Sequence, residues 1–383
     1  MDTSLQYLRQ QIRQAADEGY ALTVRGGGSK DFYGEPVRPT AILDTRIHSG
    51  ITAYDPDELV ITAKAGTPLA EIKVALAERR QILPFEPPHF GAGATLGGAV
   101  ACGLAGPGRV HFGAVRDFVL GCRLIDGCGQ VLDFGGRVVK NVGGYDIHKT
   151  MAGAMGTLGV LAEVSLKVLP MPRADQTLML PMSQAEAITA CNRWGGKPLP
   201  LGATCWHDGM LYVRLCGARR AVDSARQELG GELMQDEAAA AFWASLRDHR
   251  HAFFAAQGAA EGEAERHAPL WRLSVPAATG PIDLPGTQLV EWGGALRWYR
   301  PSAEALAVLS GTAPAAPQTA AQALRERIAA LGGTATLFRA DEVHADVLRF
   351  HPLAPVNLQI HQRLKQAFDP RGLINHGRMY PGL

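Results

Sequence analysis

The chain has 383 residues, with 38 basic against 37 acidic side chains and a formal net charge of +1. That length predicts two domains, each with its own core, and the even balance without runs of like charge argues against a nucleic-acid or other polyanionic partner. Six cysteines without a C-x-x-C pair exclude an iron-sulfur site and a disulfide framework and suit a reducing compartment.

In chain order, Leu5, Leu8, Ile12 and Ala15 predict a helix over 4–18. This start lacks the basic residues and unbroken apolar run of a secretory signal, so a cytoplasmic protein is expected. A strand over 20–24 runs into "RGGGSK" at 25–30, where successive N–H groups can turn toward one anion with no Cβ in the way. A strand over 58–65 leads into a helix with Thr67 as N-cap and Pro68 at its first position. The uncharged stretch "FGAGATLGGAVACGLAGPG", 90–108, holds seven glycines and Pro107 and makes a poor membrane span. Within it Thr95, Gly97 and Gly98 open a short helix whose free N–H groups favour phosphate. Asp126-Gly127 turns a hairpin in "CRLIDGCGQVLDF". "GAMGTLGVLAE", 153–163, has glycine at every third position, so its backbone can lie against a flat ring. Val160, Ala162, Val164, Leu166 and Val168 then share one strand face, closed by Pro170 and Pro172, which sets the domain boundary.

From 173 onward alanine-rich helices alternate with strands. Ser183 and Glu186 form a capping box, and Asp208-Gly209 joins two strands as a hairpin, predicting a two-layer α+β cap over 173–350. The segments 255–268 and 311–322 read as mobile loops. His344 and His351, seven residues apart on a predicted helix, are weighed as metal ligands and set aside in favour of a solvated or partner-facing helix. A Rossmann fingerprint would need glycine at Asp31, and Gly196-Lys197 is followed by Pro198, so neither that motif nor a P-loop is present. Of 44 glycines, 25 lie in residues 1–160. Three glycine loops in the first domain point to a long, bent dinucleotide.

The order "RGGGSK", "TLGGAVACGLAG", "FGAVRDFVLGCRLIDGCG", "KNVGGYDIHKTMAGAMGTLGVLAEV" and a C-terminal "FDPRGLINHGRM" resembles the FAD-binding domain of the vanillyl-alcohol oxidase (PCMH-type) flavoproteins. "EPPHFGAGATLGGAVACGLAGPGR", "LWRLSVP" and "WGGALRWYR" are similar to the FAD-binding E subunits of bacterial glycolate oxidases. The resemblance implies an α+β fold: a two-subdomain PCMH-type FAD-binding domain over 1–172, the cap, and a segment 351–383 returning to the flavin. It implies that Gly26, Gly27, Gly28 and Ser29 hold the pyrophosphate, and that Thr95, Gly97 and Gly98 support pyrophosphate and ribityl chain. Gly153, Gly156, Thr157, Gly159 and Val160 would present backbone to FAD, and Asn375 and Arg378 would reach the flavin edge.

Departures from the family are informative too. Members with covalent FAD often carry histidine where this chain has Ser29-Lys30, so FAD is expected to be non-covalent. The metal-binding segment of related 2-hydroxyacid dehydrogenases is missing, so no metal is expected, and the family proline is His376 here. The resemblance implies a subunit of a glycolate oxidase that oxidises glycolate to glyoxylate, acting as an accessory or electron-relay flavoprotein. Its partners would be a larger FAD-linked subunit and an iron-sulfur subunit, at most peripheral to the inner membrane. The alternative is a stand-alone FAD-dependent 2-hydroxyacid dehydrogenase. Arg272, Arg297, Arg300 and His376 are the candidates for handling carboxylate and proton, and apolar surface around Trp271, Trp292 and Trp298 is the expected partner contact.

Overall fold

The computed structural model describes residues 2–37, 41–136, 145–254, 269–302, 317–340 and 344–383. It divides into two units, one of Met1–Gly106, Gly113–Met171 and Pro352–Leu383, the other of Pro107–Phe112 and Pro172–His351. The short excursion Pro107–Phe112 had no signal in the sequence.

The first unit opens with α1 (Thr3–Glu18). The Asp2 carboxylate caps it by accepting from the N–H groups of Ser4 and Leu5, and Gly19 ends it at φ +75°. Leu8, Ile12 and Ala15 pack with Leu22, Leu43, Ile125, Val160 and Ile374 in one small core. β1 (Leu22–Arg25) pairs in parallel with β2 (Ala41–Asp44). β3 (Ile51–Asp55), β4 (Val60–Lys64), α2 (Leu69–Glu78), β5 (Gln81–Ile82), α3 (Leu96–Cys102), α4 (Arg109–Phe112, which counts with the second unit) and α5 (Val115–Phe118) follow in chain order. Then come β6 (Val119–Ile125), β7 (Val131–Gly135), α6 (Ile147–Met151), β8 (Val160–Lys167) and β9 (Leu169–Pro170). A five-stranded antiparallel sheet takes the order β3-β4-β8-β6-β7. α2, α3 and α5 cover it through Leu69, Leu76, Val100 and Phe118, which meet Ile61, Leu124 and Val164.

Three local expectations give way here. Thr67 does not cap α2: Pro68 holds that position, and the Thr67 hydroxyl instead donates to Lys64 O at 2.7 Å. The β6–β7 hairpin turns through 126–130, where the Asp126 carboxylate accepts from the N–H groups of Cys128 and Gln130 and Gly129 takes φ +70°, so it is wider than an Asp-Gly turn. On β8 the register against β6 shifts between Arg123 and Leu124. That bulge swaps the faces, sending Val160 and Ala162 to the α1 core and Leu161, Val164, Leu166 and Val168 to the other.

The second unit is built on an eight-stranded antiparallel sheet. Its elements are β10 (Ala174–Pro181), α7 (Gln184–Gly195), β11 (Leu201–His207), β12 (Met210–Gly217), α8 (Arg219–Leu229), β13 (Glu232–Leu233), α9 (Asp236–Arg247), β14 (Leu270–Ser274), β15 (Gly286–Glu291), β16 (Leu296–Pro301), a helix Pro317–Ala330 and β17 (Thr334–Arg339). The strand order is β13-β10-β12-β11-β15-β16-β14-β17. The Ser183–Glu186 capping box is present in both directions, and Asp208 (φ +49°) and Gly209 (φ +76°) close the β11–β12 hairpin as a tight turn.

Three readings of this region are corrected. Residues 317–322 are helical, while 255–268 and the rest of 311–322 lie outside the described residues. His344 stands in a turn rather than on a helix, and His351 Nδ1 accepts from the Ala335 N–H at 3.3 Å. Among the described residues no group of three or more His, Cys, Asp or Glu is placed to hold a metal ion. Trp271, Trp292 and Trp298 are not surface: they are 3%, 6% and 5% exposed. Trp271 on β14 and Trp298 on β16 face packed layers, and Trp292, in the turn after β15, is covered by Arg109 and Arg272. Residues 352–383 rejoin the first unit through a helix Pro355–Phe368, and Leu373 and Ile374 enter its α1 core beside β1.

Candidate functional site: a glycine-lined cavity in the first unit

A cavity of about 410 Å³ opens in the first unit, within the range of small-molecule and cofactor pockets. β1 leads into its rim, where Gly26, Gly27, Gly28 and Ser29 line it together with Lys30. Gly28 turns the loop at φ +72°, and the Arg25–Asp31 ion pair at 2.6 Å ties its two ends. Among the described residues the backbone N–H groups of Gly27, Gly28 and Ser29 donate to no protein acceptor. Such a run of neighbouring free donors is the chemistry of an anion cradle. The Lys30 ammonium lies 3.4 Å from Ser29 Oγ and 5.6 Å from the centre of the Phe90 ring, and the residue is buried, so positive charge is held at the same rim.

The glycines have a second physical cause that the sequence did not reveal. A Cβ on Gly27 would lie 1.5 Å from Gly93 O, and one on Gly26 would lie 2.4 Å from Thr95 Oγ1. Loop 26–29 is thus pressed onto loop 93–98, and glycine is needed for that contact as much as for a ligand.

Thr95, Gly97 and Gly98 also line the cavity, but the expected free N–H groups at the start of α3 are not there. The Leu96 N–H donates to Thr67 O at 2.9 Å, Gly97 N–H to Ala65 O at 2.7 Å, and Gly98 N–H to the Thr95 hydroxyl at 3.3 Å. This turn supplies a smooth wall rather than anion donors. In the third loop Gly156 (φ +70°) and Gly159 (φ +148°) line the cavity with Met155. Gly153, Thr157 and Val160 do not: the Gly153 N–H donates to Val100 O, the Thr157 hydroxyl to Ala154 O, and Val160 belongs to the α1 core.

The C-terminal segment supplies Asn375 and Arg378 to the same cavity. Asn375 is 6% exposed and adopts φ +47°; its Oδ1 accepts from the Val24 N–H and its Nδ2 donates to Met155 O, both at 2.7 Å. The side chain is a clasp between β1 and the third loop. The Arg378 guanidinium donates to the carbonyls of Lys30, Asp31, Tyr33 and Glu35 and so holds the exit of the first loop. His376, between them, is exposed and does not line the cavity. Cys102 lines it unforeseen, its thiol pushed up by burial.

The first of these loops is the part of the chain best matched to nucleotide recognition, and comparison with known proteins extends the match to the whole chain. Glycolate oxidase subunit GlcE of Escherichia coli (strain K12) is 45% identical over 379 residues, covering 99% of this chain and 98% of that protein. The chain belongs to the GlcE family of glycolate oxidase subunits. The FAD binding domain family matches residues 3–135 of this GlcE-family chain, which include the first two glycine loops. Glycolate oxidase subunit GlcD of Bacillus subtilis (strain 168) is 27% identical over 159 residues, 41% of this chain and 34% of that relative. Among solved structures, an alkyldihydroxyacetonephosphate synthase superimposes with a TM-score of 0.65 at 15% identity, covering 96% of this chain and 73% of that one. That likeness is one of fold.

In this GlcE-family chain two of the catalytic candidates are already occupied. Arg297, fully buried, donates through Nε to Gly294 O and through Nη2 to Thr279 O, both at 2.7 Å, and burial pulls it down to about 10. Arg300 donates to Phe253 O and Phe254 O at 2.8 and 2.6 Å. Both hold irregular backbone within the second unit. Arg272, half-buried, stacks 5.2 Å over Trp292, and among the described residues its guanidinium makes no hydrogen bond.

Proposed function

We propose that this chain is the FAD-carrying GlcE-type subunit of a multi-subunit glycolate oxidase, which oxidises glycolate to glyoxylate, and that it works as an accessory or electron-relay flavoprotein. The observation that carries the reading is the cradle at Gly27–Ser29, three free backbone donors beside the Lys30 ammonium in a cavity of cofactor size. When bound, FAD supplies a two-electron acceptor. The residues do the rest. Gly27, Gly28 and Ser29 receive the pyrophosphate, with Lys30 adding positive charge; Gly97, Gly98, Gly156 and Gly159 let the ligand lie against backbone. Asn375 and Arg378 hold the loops that do so. With Ser29-Lys30 at the first loop, FAD is held without a covalent bond.

Oxidising a 2-hydroxy acid also requires a group to take the hydroxyl proton and a cation for the carboxylate. The carboxylate among the described cavity-lining residues, Asp31, is paired with Arg25, and among the described residues no histidine lines the cavity. That favours dependence on partners: a larger FAD-linked subunit of the GlcD kind and an iron-sulfur subunit. Arg272, with its uncommitted guanidinium, favours the alternative, a stand-alone 2-hydroxyacid dehydrogenase. Glycolate-dependent dye reduction decides between them. The purified single chain is expected to be nearly inactive, with activity appearing on co-expression with both partner subunits. Full turnover by the single chain would establish the alternative and make Arg272 the first residue to mutate.

A further inference from the structure

Besides that of Lys30 at the cavity rim, the first unit buries the ammonium of Lys365, where a hydrocarbon would serve its core as well. Lys365, on the helix Pro355–Phe368, has a side chain 9% exposed, and its partner Asp369 is at 0%. The ammonium donates to Asp369 Oδ2 at 2.8 Å, Thr157 O at 2.8 Å and Ile374 O at 2.6 Å, which uses all three of its protons. Asp369 in turn accepts from the N–H groups of Leu373 at 3.1 Å and Ile374 at 2.7 Å. A buried ion pair adds little net stability over an apolar pair of the same volume; what it adds is direction, since each partner accepts only one geometry. The directions specified here are those of the cavity. Thr157 sits between Gly156 and Gly159, and Ile374 precedes Asn375, and these three neighbours line the cavity.

We propose that Lys365 is a positioning residue of the cofactor site, its ammonium fixing the third glycine loop and the Asn375 clasp at their working separation from opposite ends of the sequence. The proposal rests on the FAD reading above. It is tested on the full chain with the double variant Lys365→Met/Asp369→Leu, which removes both charges so that neither is left buried alone. FAD titration of the apoprotein is followed by flavin fluorescence and by visible circular dichroism of the bound flavin. The expected result is an apoprotein that still folds, melting below the parent because four buried backbone groups lose their partners, and that binds FAD about tenfold more weakly or worse, the usual size for a group one layer behind a ligand, with altered flavin dichroism. Ser183→Ala, which loosens the other unit, is expected to leave FAD affinity unchanged. FAD affinity within twofold of the parent in the folded double variant overturns the proposal. Should the double variant not fold, Asp369→Asn keeps the volume and removes the charge: weaker FAD binding sustains the proposal and parental affinity overturns it. A parent chain that binds no FAD would instead refute the cofactor reading.

Discussion

A methyl group on Gly27 would sit 1.5 Å from Gly93 O, whereas one on Gly98 would meet nothing nearer than Thr95 Oγ1 at 3.2 Å. The two glycines should therefore fail differently. Gly27→Ala is expected to push the two loops apart and lower both the melting temperature and the flavin content. Gly98→Ala should be tolerated, while Gly98→Asp sets a carboxylate in the cavity wall and loses FAD from a chain that still melts normally. Flavin absorbance per chain, measured beside thermal melting, separates these outcomes; full FAD in Gly98→Asp would place the cofactor elsewhere. Arg297 belongs to the opposite category. Arg297→Met strips the buried Gly294 O and the half-buried Thr279 O of their donor and is expected to cost about 1–3 kcal/mol of stability without changing FAD content. Loss of flavin from a folded Arg297→Met protein would return it to the site.

Elements held by short-range chemistry were readable in the sequence. The Ser183–Glu186 box and the Asp208-Gly209 hairpin each need only a few neighbouring residues, and both form as expected. Ser183→Ala should accordingly cost about 1 kcal/mol, seen in melting and not in flavin content. Where the chain meets itself at a distance, reading fails. The start of α3 looked like a phosphate site because its partners, Ala65 O and Thr67 O, come from the preceding strand and turn. The three tryptophans looked like surface because their cover comes from other strands and helices. The β8 faces were misread at a bulge set by β6. Asn375 was legible as a motif residue, but not as a clasp between Val24 and Met155, which it makes only once the C-terminal segment has folded back. Asn375→Ala loses both bonds and a favourable left-handed residue, so lower apoprotein stability together with weaker FAD binding is expected.

At the scale of the whole molecule, titration and assembly are the informative properties. Burial holds His48 and His148 below their ordinary value of 6.5, and His249, stacked on Phe254, well below it. In the unfolded chain these rings take up protons below about 6.5 while in the folded chain they resist it, so their contribution is complete above that pH and is lost on acidification. Melting temperature should fall as pH drops from 7 to 5; a flat profile would contradict the burial of these rings. No helix among the described residues is long and apolar enough to cross a membrane. With the tryptophans inside, the surface that meets partner subunits must be made of other residues. The account stands most directly on what the chain carries. Acid precipitation of the purified protein is predicted to release one FAD per chain into the supernatant, and flavin remaining in the pellet, or a chain that neither holds nor takes up FAD, would contradict it.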